Sequence, residues 1–252
     1  MIHSNGRADR AEALIALLID ADNSPAAKID TILTELATFG ITNVRRAYGN
    51  WKKNELKGWE ERLQEHAIRP MQQFDYSKGK NASDMAMVID ALELLYTDRP
   101  DAFGIVSSDA DFTPLVMHLR AKGAAVYGFG QRKTPEPFVN ACSRFLFLDE
   151  GAAAAEGEAR SPLRVPAEKL KRDAKLVTLL RNAVQAAADE DGWARVGAAG
   201  QQIANQASFD PRNYGYATLT KLLAATQLFE MDHEGTSQVS VRDKRAKVSR
   251  GN

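Results

Sequence analysis

Two runs of apolar residues in this chain break off at single carboxylates, and that pattern constrains the fold more than any other feature. Leu14-Ile15-Ala16-Leu17-Leu18-Ile19 stops at Asp20, and Phe103-Gly104-Ile105-Val106-Ser107-Ser108 stops at Asp109, with Asp111 two residues on. Four to six apolar residues without alternation read as a strand buried on both faces, as in a parallel sheet with helices on either side. An acid ending such a strand stands at the carboxyl edge of the sheet, where open α/β sheets bind their ligands. A third acid, Asp84, opens a helical stretch carrying Met85, Val88, Ile89, Leu92 and Leu95. Converging carboxylates repel by roughly 4 kcal/mol per pair at about 4 Å and an effective dielectric of about 20. A divalent cation relieves that repulsion, and Mg²⁺ or Mn²⁺ suits a site made of oxygens.

Strand and helix periods alternate along the first 150 residues. Strands are predicted at 14–20, 43–48, 68–74, 103–107, 124–129 and 144–148. Helices are predicted after Ser24-Pro25, near 55–66, from Ser83 to Tyr96, over 112–122 and after Pro137. Ser24 is expected to cap the first of them. The pattern predicts an α/β unit over 13–150, with a mostly parallel sheet flanked by helices and right-handed crossovers. Residues 1–12 are polar and aperiodic, an expected disordered lead-in. A stretch rich in Ala, Gly and Pro at 151–168 reads as a linker. Beyond it, helices near 176–184, 196–207 and 216–225 precede a hairpin of Leu228–Met231 and Val239–Val241. Three helices and then a hairpin is the order of a small α+β winged helix, placed at 169–243 with a tail at 244–252. Trp193, Tyr214 and Phe229 are expected in its core.

The 33 basic and 33 acidic residues cancel overall but are not evenly spread. Residues 1–160 hold 19 Lys and Arg against 23 Asp and Glu, leaving 14 against 10 for the remainder. An acidic front suits a cation site, and a mildly basic back suits a polyanion. The single cysteine, Cys142, excludes an internal disulfide framework and a multi-cysteine zinc site, which fits a reducing compartment. No apolar run approaches the roughly 20 residues that span a bilayer. The expected location is the cytoplasm.

Asp20 and Asp109 are the leading candidates for chemistry. Asn23 is placed to hold a metal-bound water or a phosphate oxygen, and Asp111 either joins the site or caps the following helix. Asp90 lies about 240° around the helix from Asp84 and is expected to be structural. Ser107, Lys52, Lys53, Lys78 and Lys80 are candidates for contact with backbone phosphates, the lysines alternatively forming a solvated rim. His66, His118 and His233 have no partner at metal-ligand spacing, and no Gly-rich phosphate loop is present.

Residues 14–148 resemble a NYN domain of the PIN-like nucleases. The similar segments are Leu18-Ile19-Asp20-Ala21-Asp22-Asn23, Lys80-Asn81-Ala82-Ser83-Asp84 with Asp90, and Ser107-Ser108-Asp109-Ala110-Asp111-Phe112-Thr113-Pro114-Leu115-Val116. The resemblance implies that Asp20, Asp84 and Asp109 bind metal and that Asn23 and Asp111 support them. Asp22 departs from the small residue common at its position, and Ala82 and Ser83 leave fewer acids than some relatives have. Residues 169–243 resemble an OST-HTH/LOTUS domain through Asp191-Gly192-Trp193, Phe209-Asp210-Pro211-Arg212-Asn213-Tyr214-Gly215-Tyr216, and Leu219, Leu222 and Leu223. That family implies RNA as a partner, with a protein partner as a second possibility.

Together these readings imply a Mg²⁺- or Mn²⁺-dependent ribonuclease. Two alternatives stay open. A catalytically silent RNA-binding adaptor would keep the fold with a degenerate acid cluster. A HAD-type phosphatase would use Asp20-Ala21-Asp22 as its first motif, although its downstream Thr/Ser and Lys have no clear counterparts.

Overall fold

Ile15, Ala16, Leu17, Leu18 and Ile19 are fully buried, as an unbroken apolar run requires, and they build β1 (Leu14–Asp20). Each such aliphatic side chain contributes about 1.5–3 kcal/mol when removed from water. In this computed structural model, residues 12–74, 82–149, 164–233 and 238–246 are described. They divide near residue 148 into two units.

The first unit continues through α1 (Ile29–Ala37), β2 (Ile41–Gly49), α2 (Glu60–Glu65), β3 (Arg69–Gln72) and α3 (Ala82–Thr97). It then runs through β4 (Ala102–Val106), α4 (Thr113–Ala121), β5 (Ala125–Gly130), α5 (Glu136–Ala141) and β6 (Arg144–Phe147). The six strands order as β3-β2-β1-β4-β5-β6, and every neighbouring pair is parallel. Successive residues of a strand face opposite ways. Ile15, Leu17 and Ile19 accordingly pack with Ile29, Ile32 and Leu36 of α1, while Ala16 and Leu18 pack with Met87, Ala91 and Leu94 of α3. The result is three layers, with helices on both faces.

The strand order places the ligand crevice. The chain leaves β1 toward β2 and β3, crosses back through α3, and leaves β4 toward β5 and β6. Connections diverge between the ends of β1 and β4, so a crevice opens there. Asp20 ends β1 and Asp109 follows β4.

The second unit holds α6 (Ala167–Arg172), α7 (Ala174–Ala187), β7 (Ala194–Arg195), α8 (Val196–Gln206), α9 (Leu219–Thr226), β8 (Phe229–Asp232) and β9 (Ser240–Asp243). β8 and β9 form the expected antiparallel hairpin, and β7 adds to the far side of β9. Leu176, Leu180, Val184, Ile203, Leu222, Leu223, Phe229 and Val241 form its core.

Several expectations need correction. Ser24 does not cap a helix: its hydroxyl donates to the Val106 carbonyl at 3.3 Å, and a short 3-10 turn (Ala26–Lys28) precedes α1. The last residues assigned to the linker already belong to α6, whose lone buried anchor, Leu170, makes no periodic pattern. Asp173 accepts a hydrogen bond from the Leu176 N–H at 3.0 Å and so starts α7 immediately afterwards. Trp193 is only half-buried, with the Arg242 guanidinium over its ring at 4.7 Å, and Tyr214 is half-buried as well. The lead-in to residue 11, the linker from 150 to 163 and the tail from 247 lie outside the described residues.

Candidate active site

The sheet buries Asp20 at its carboxyl edge and leaves it 1% exposed. It shares the face of Ala16 and Leu18, the face that α3 covers. A buried carboxylate needs donors, and two side chains supply them. Ser107 donates its hydroxyl to Oδ2 at 2.8 Å, and the Asn23 amide donates to Oδ2 at 3.0 Å and Oδ1 at 3.3 Å. Ser107 also accepts from the Asp109 N–H at 3.1 Å. One buried hydroxyl thus ties the two strand-end acids together.

This changes the roles expected of two residues. Ser107 was a candidate phosphate contact, but it is 1% exposed and its one proton is committed to Asp20. Asn23 was expected to hold a water or a phosphate oxygen, and its amide instead holds Asp20. Gly130 at the end of β5 is required beside them, since a Cβ there would lie 2.6 Å from the Ser107 carbonyl oxygen.

Asp109 is half-buried in extended backbone, and its Oδ1 accepts the Asp111 N–H at 2.9 Å. Asp109 is therefore the cap of the turn Ala110–Phe112 that leads into α4, and Asp111 is exposed at the mouth. Asp84, in the first turn of α3, continues the buried stripe of Met87, Ala91 and Leu94 and so faces the sheet. Its neighbour Ser83 donates to Asp22 Oδ2 at 3.1 Å, and Lys53 Nζ lies 3.2 Å from Asp22 Oδ1. Lys53 is thus paired with an acid at the rim, Lys52 is exposed, and Lys78 and Lys80 lie outside the described residues.

Asp90 is structural, as its helical position suggested. Its buried carboxylate accepts from the Arg46 guanidinium and the Tyr48 hydroxyl, which ties α3 to β2. Tyr48 is the β2 residue paired in register with Asp20. Burial and the bond to Asp90 push the Tyr48 phenol well above its ordinary range.

Among the described residues, no group of three or more His, Cys, Asp or Glu side chains is arranged to hold a metal ion. The acids nevertheless feel one another. Residues 14–149 match the NYN domain, over more than half of the chain.

The chain belongs to the NYN domain family. Residues 168–241 match the OST-HTH/LOTUS domain, the two arriving in that order. NYN domains belong to the PIN-like nuclease superfamily, and OST-HTH/LOTUS is an RNA-binding domain. An uncharacterized protein of Methanocaldococcus jannaschii is 29% identical over 133 residues, 51% of this chain and 52% of that protein. The chain thus spans about half the length of that curated relative. A crystal structure of a protein of unknown function from Vibrio parahaemolyticus aligns over 55% of this chain and 94% of its own, with 20% identity and a TM-score of 0.45. No described helix is long and apolar enough to cross a membrane.

Within the NYN domain the electrostatics centre on Asp84. Its carboxyl is pushed up to about 6, first by burial and then by the charges of Asp20, Asp109, Asp22 and Asp111. Burial also raises Asp20, against the lowering effect of its bonds from Ser107 and Asn23. An acid with a folded pKa above its unfolded value holds its proton more tightly when folded. The stability it contributes is full below about pH 4 and is lost as pH rises through about 6. Asp84 is partly open to solvent, so the effect is discounted to about 1 kcal/mol, a few degrees in Tm. Without added divalent ion, Asp84→Asn should remove this loss. Thermal unfolding of both proteins in EDTA from pH 4 to 7.5 tests it: the variant should gain on wild type as pH rises. A gap that stays constant with pH would contradict the account.

Proposed function

We propose that the NYN domain hydrolyses phosphodiester bonds of RNA with Mg²⁺ or Mn²⁺, and that the OST-HTH/LOTUS domain holds the RNA. The observation that supports this best is the set of carboxylates at the β1/β4 crevice, with Asp20, Asp84 and Asp109 brought there from three separate elements. The donor set suits a hard cation, since Mg²⁺ is commonly held by only one or two carboxylates and keeps several waters. Of Asp20, Asp84 and Asp109, one or two would hold it directly and the remainder through its waters, and when bound it supplies a more acidic water and a counter-charge for phosphate oxygens.

The chain's own residues supply positioning. Ser107 and Asn23 hold the Asp20 carboxylate in one orientation before substrate arrives. The Asp111 N–H does the same for Asp109, and the α3–β2 tie does so for the helix that carries Asp84. The Asp111 side chain is exposed at the mouth. Lys52, Lys78 and Lys80 are proposed to meet backbone phosphates, and Lys53 can do so by exchanging Asp22 for a phosphate oxygen. The proposed compartment is the cytoplasm, where Cys142, buried with its thiol pushed up to about 12, stays inert.

Incubating the full chain with single-stranded and duplex RNA and DNA, with Mg²⁺, Mn²⁺ or EDTA, tests the reading. RNA should be cut only with the ion. No cleavage under any condition, together with no Mn²⁺ binding by calorimetry, would leave an RNA-binding adaptor.

The division of labour gives a further prediction. Each unit has its own core, so a chain ending at Arg160 should fold and cut simple single-stranded RNA with little change in kcat. A second binding domain joined by a short connection raises effective substrate concentration toward millimolar. Its removal should raise the apparent KM about ten- to a hundredfold and abolish preference among RNAs. A 165–252 fragment should bind RNA with affinity that falls as salt rises. If the fragment binds no nucleic acid and truncation leaves preference intact, the domain docks a protein partner instead.

A further inference from the structure

We propose that Phe74 and Lys52 form a stacking subsite for an unpaired nucleobase of the strand whose phosphate lies at the acids. The location of that strand rests on the nuclease reading above; the subsite itself rests on separate observations. Phe74 follows β3 by two residues and stays 47% exposed, although burial would favour so large an apolar side chain. Its ring has a cationic partner, with Lys52 Nζ 5.0 Å from the centroid. A lone exposed aromatic is ordinary. An exposed aromatic paired with an ammonium at the carboxyl edge of a ligand-binding sheet offers something for each half of a nucleotide: a flat apolar face for the base and a cation for the phosphate.

The rim that carries the pair is held in place. Gln72 donates through Nε2 to Asn50 Oδ1 at 3.1 Å and accepts the Trp51 N–H at Oε1 at 3.0 Å. The Gln73 N–H donates to the Gly49 carbonyl at 3.0 Å. These bonds fasten the end of β2 to the end of β3, so a base meets a platform that needs little ordering.

Position links the platform to the acids. Asp20 ends β1 and Phe74 follows the end of β3, both at the carboxyl edge of the sheet with only β2 between the two strands. Asp20 is level with Tyr48 and Met71 in the sheet, so Phe74 stands two strand spacings across and three residues further along, roughly 14 Å in all, a reach that a single strand covers in a few nucleotides. Stacking tolerates any base but requires it to be unpaired. The ligand class is therefore single-stranded nucleic acid, with little preference for base identity at this position.

Three variants of the full chain, Phe74→Trp, Phe74→Ala and Phe74→Leu, test the subsite in EDTA, so that binding is read without cleavage. Emission of Phe74→Trp, taken over that of the parent, should be quenched by short single-stranded RNA. It should not be quenched by a fully paired duplex or by a strand of abasic nucleotides. Phe74→Ala should weaken single-strand binding about 5- to 100-fold, the range of base–aromatic stacking. Phe74→Leu should behave like Phe74→Ala, because apolar bulk without an aromatic face does not stack. All three should melt like wild type, since the side chain is exposed. Unquenched Phe74→Trp emission in the presence of bound single strand would overturn the proposal, as would a Leu variant that binds like wild type. Quenching in a protein that cuts nothing with Mn²⁺ would uphold the subsite and reject the nuclease reading. Ion-dependent cleavage without quenching would do the reverse.

Discussion

Asp109→Asn should reduce ion-dependent RNA cleavage by about a hundred- to a thousandfold while leaving the protein folded and able to bind RNA. The substitution is nearly isosteric, and asparagine caps a helix as well as aspartate does, so the bond from the Asp111 N–H survives. What disappears is one negative charge at the crevice. A site that depends on carboxylates to hold a divalent ion loses affinity and electrostatic stabilisation of the kind that single groups often supply at about 10²–10³-fold. Stability should not fall, and it should rise slightly in EDTA, because Asp84 is freed from one of the charges that raise its pKa. Asp109→Ala makes a useful contrast: it also loses the cap, at about 1 kcal/mol, so it should be equally inactive and less stable. Cleavage rates with Mn²⁺, calorimetric Mn²⁺ titration and thermal melts of the two variants separate these effects. A Mn²⁺-dependent Asp109→Asn enzyme near wild-type activity would remove Asp109 from the site.

The largest stability effect is expected away from the candidate metal ligands. Asp90→Ala should lower stability by about 3 kcal/mol, which for a unit of this size is about 6–12 °C in Tm. The carboxylate accepts from both Arg46 and Tyr48 in a largely buried setting, and its removal leaves a cation and a hydroxyl without that acceptor. The cost belongs to the unpaired partners more than to the bond itself. Replacing the group together, as Arg46→Met with Tyr48→Phe and Asp90→Leu, should therefore cost less than Asp90→Ala alone. Activity should follow a different order. Asp90 anchors the helix that carries Asp84, so both proteins should cut RNA more slowly than wild type even well below their melting temperatures. If Asp90→Ala melts within a degree of wild type, the tie between α3 and β2 is not what orients that helix.

The strands, the helices and the ends at which acids sit were legible in the chain before any coordinates. They depend on local patterns: a short unbroken apolar run such as Ile15–Ile19, alternating along the chain with helical periods, reads as a strand covered on both faces, and a run that stops at Asp20 leaves the acid at its end. The motif segments around Asp20, Asp84 and Asp109 were legible for the same reason, each being contiguous. α6 was missed because six residues with one buried leucine carry no period. β7 was missed because two residues are too few to alternate.

The long-range partners inside the site were decided by tertiary structure. Asp20 accepts a hydrogen bond from Ser107, 87 residues away, and Asp90 is held by residues 44 and 42 positions earlier. Such partners depend on strand order and register, properties of the whole sheet that no local period encodes. Ser107 thus read as a group for substrate, and becomes a support for Asp20 only because β1 and β4 lie side by side, whereas Asn23 reaches Asp20 locally, across the turn that follows β1. The choice between Asp109 and Asp111 as the cap was also beyond the sequence. Both have the right chemistry, and only the backbone turn decides which carboxylate meets an N–H and which is left facing water.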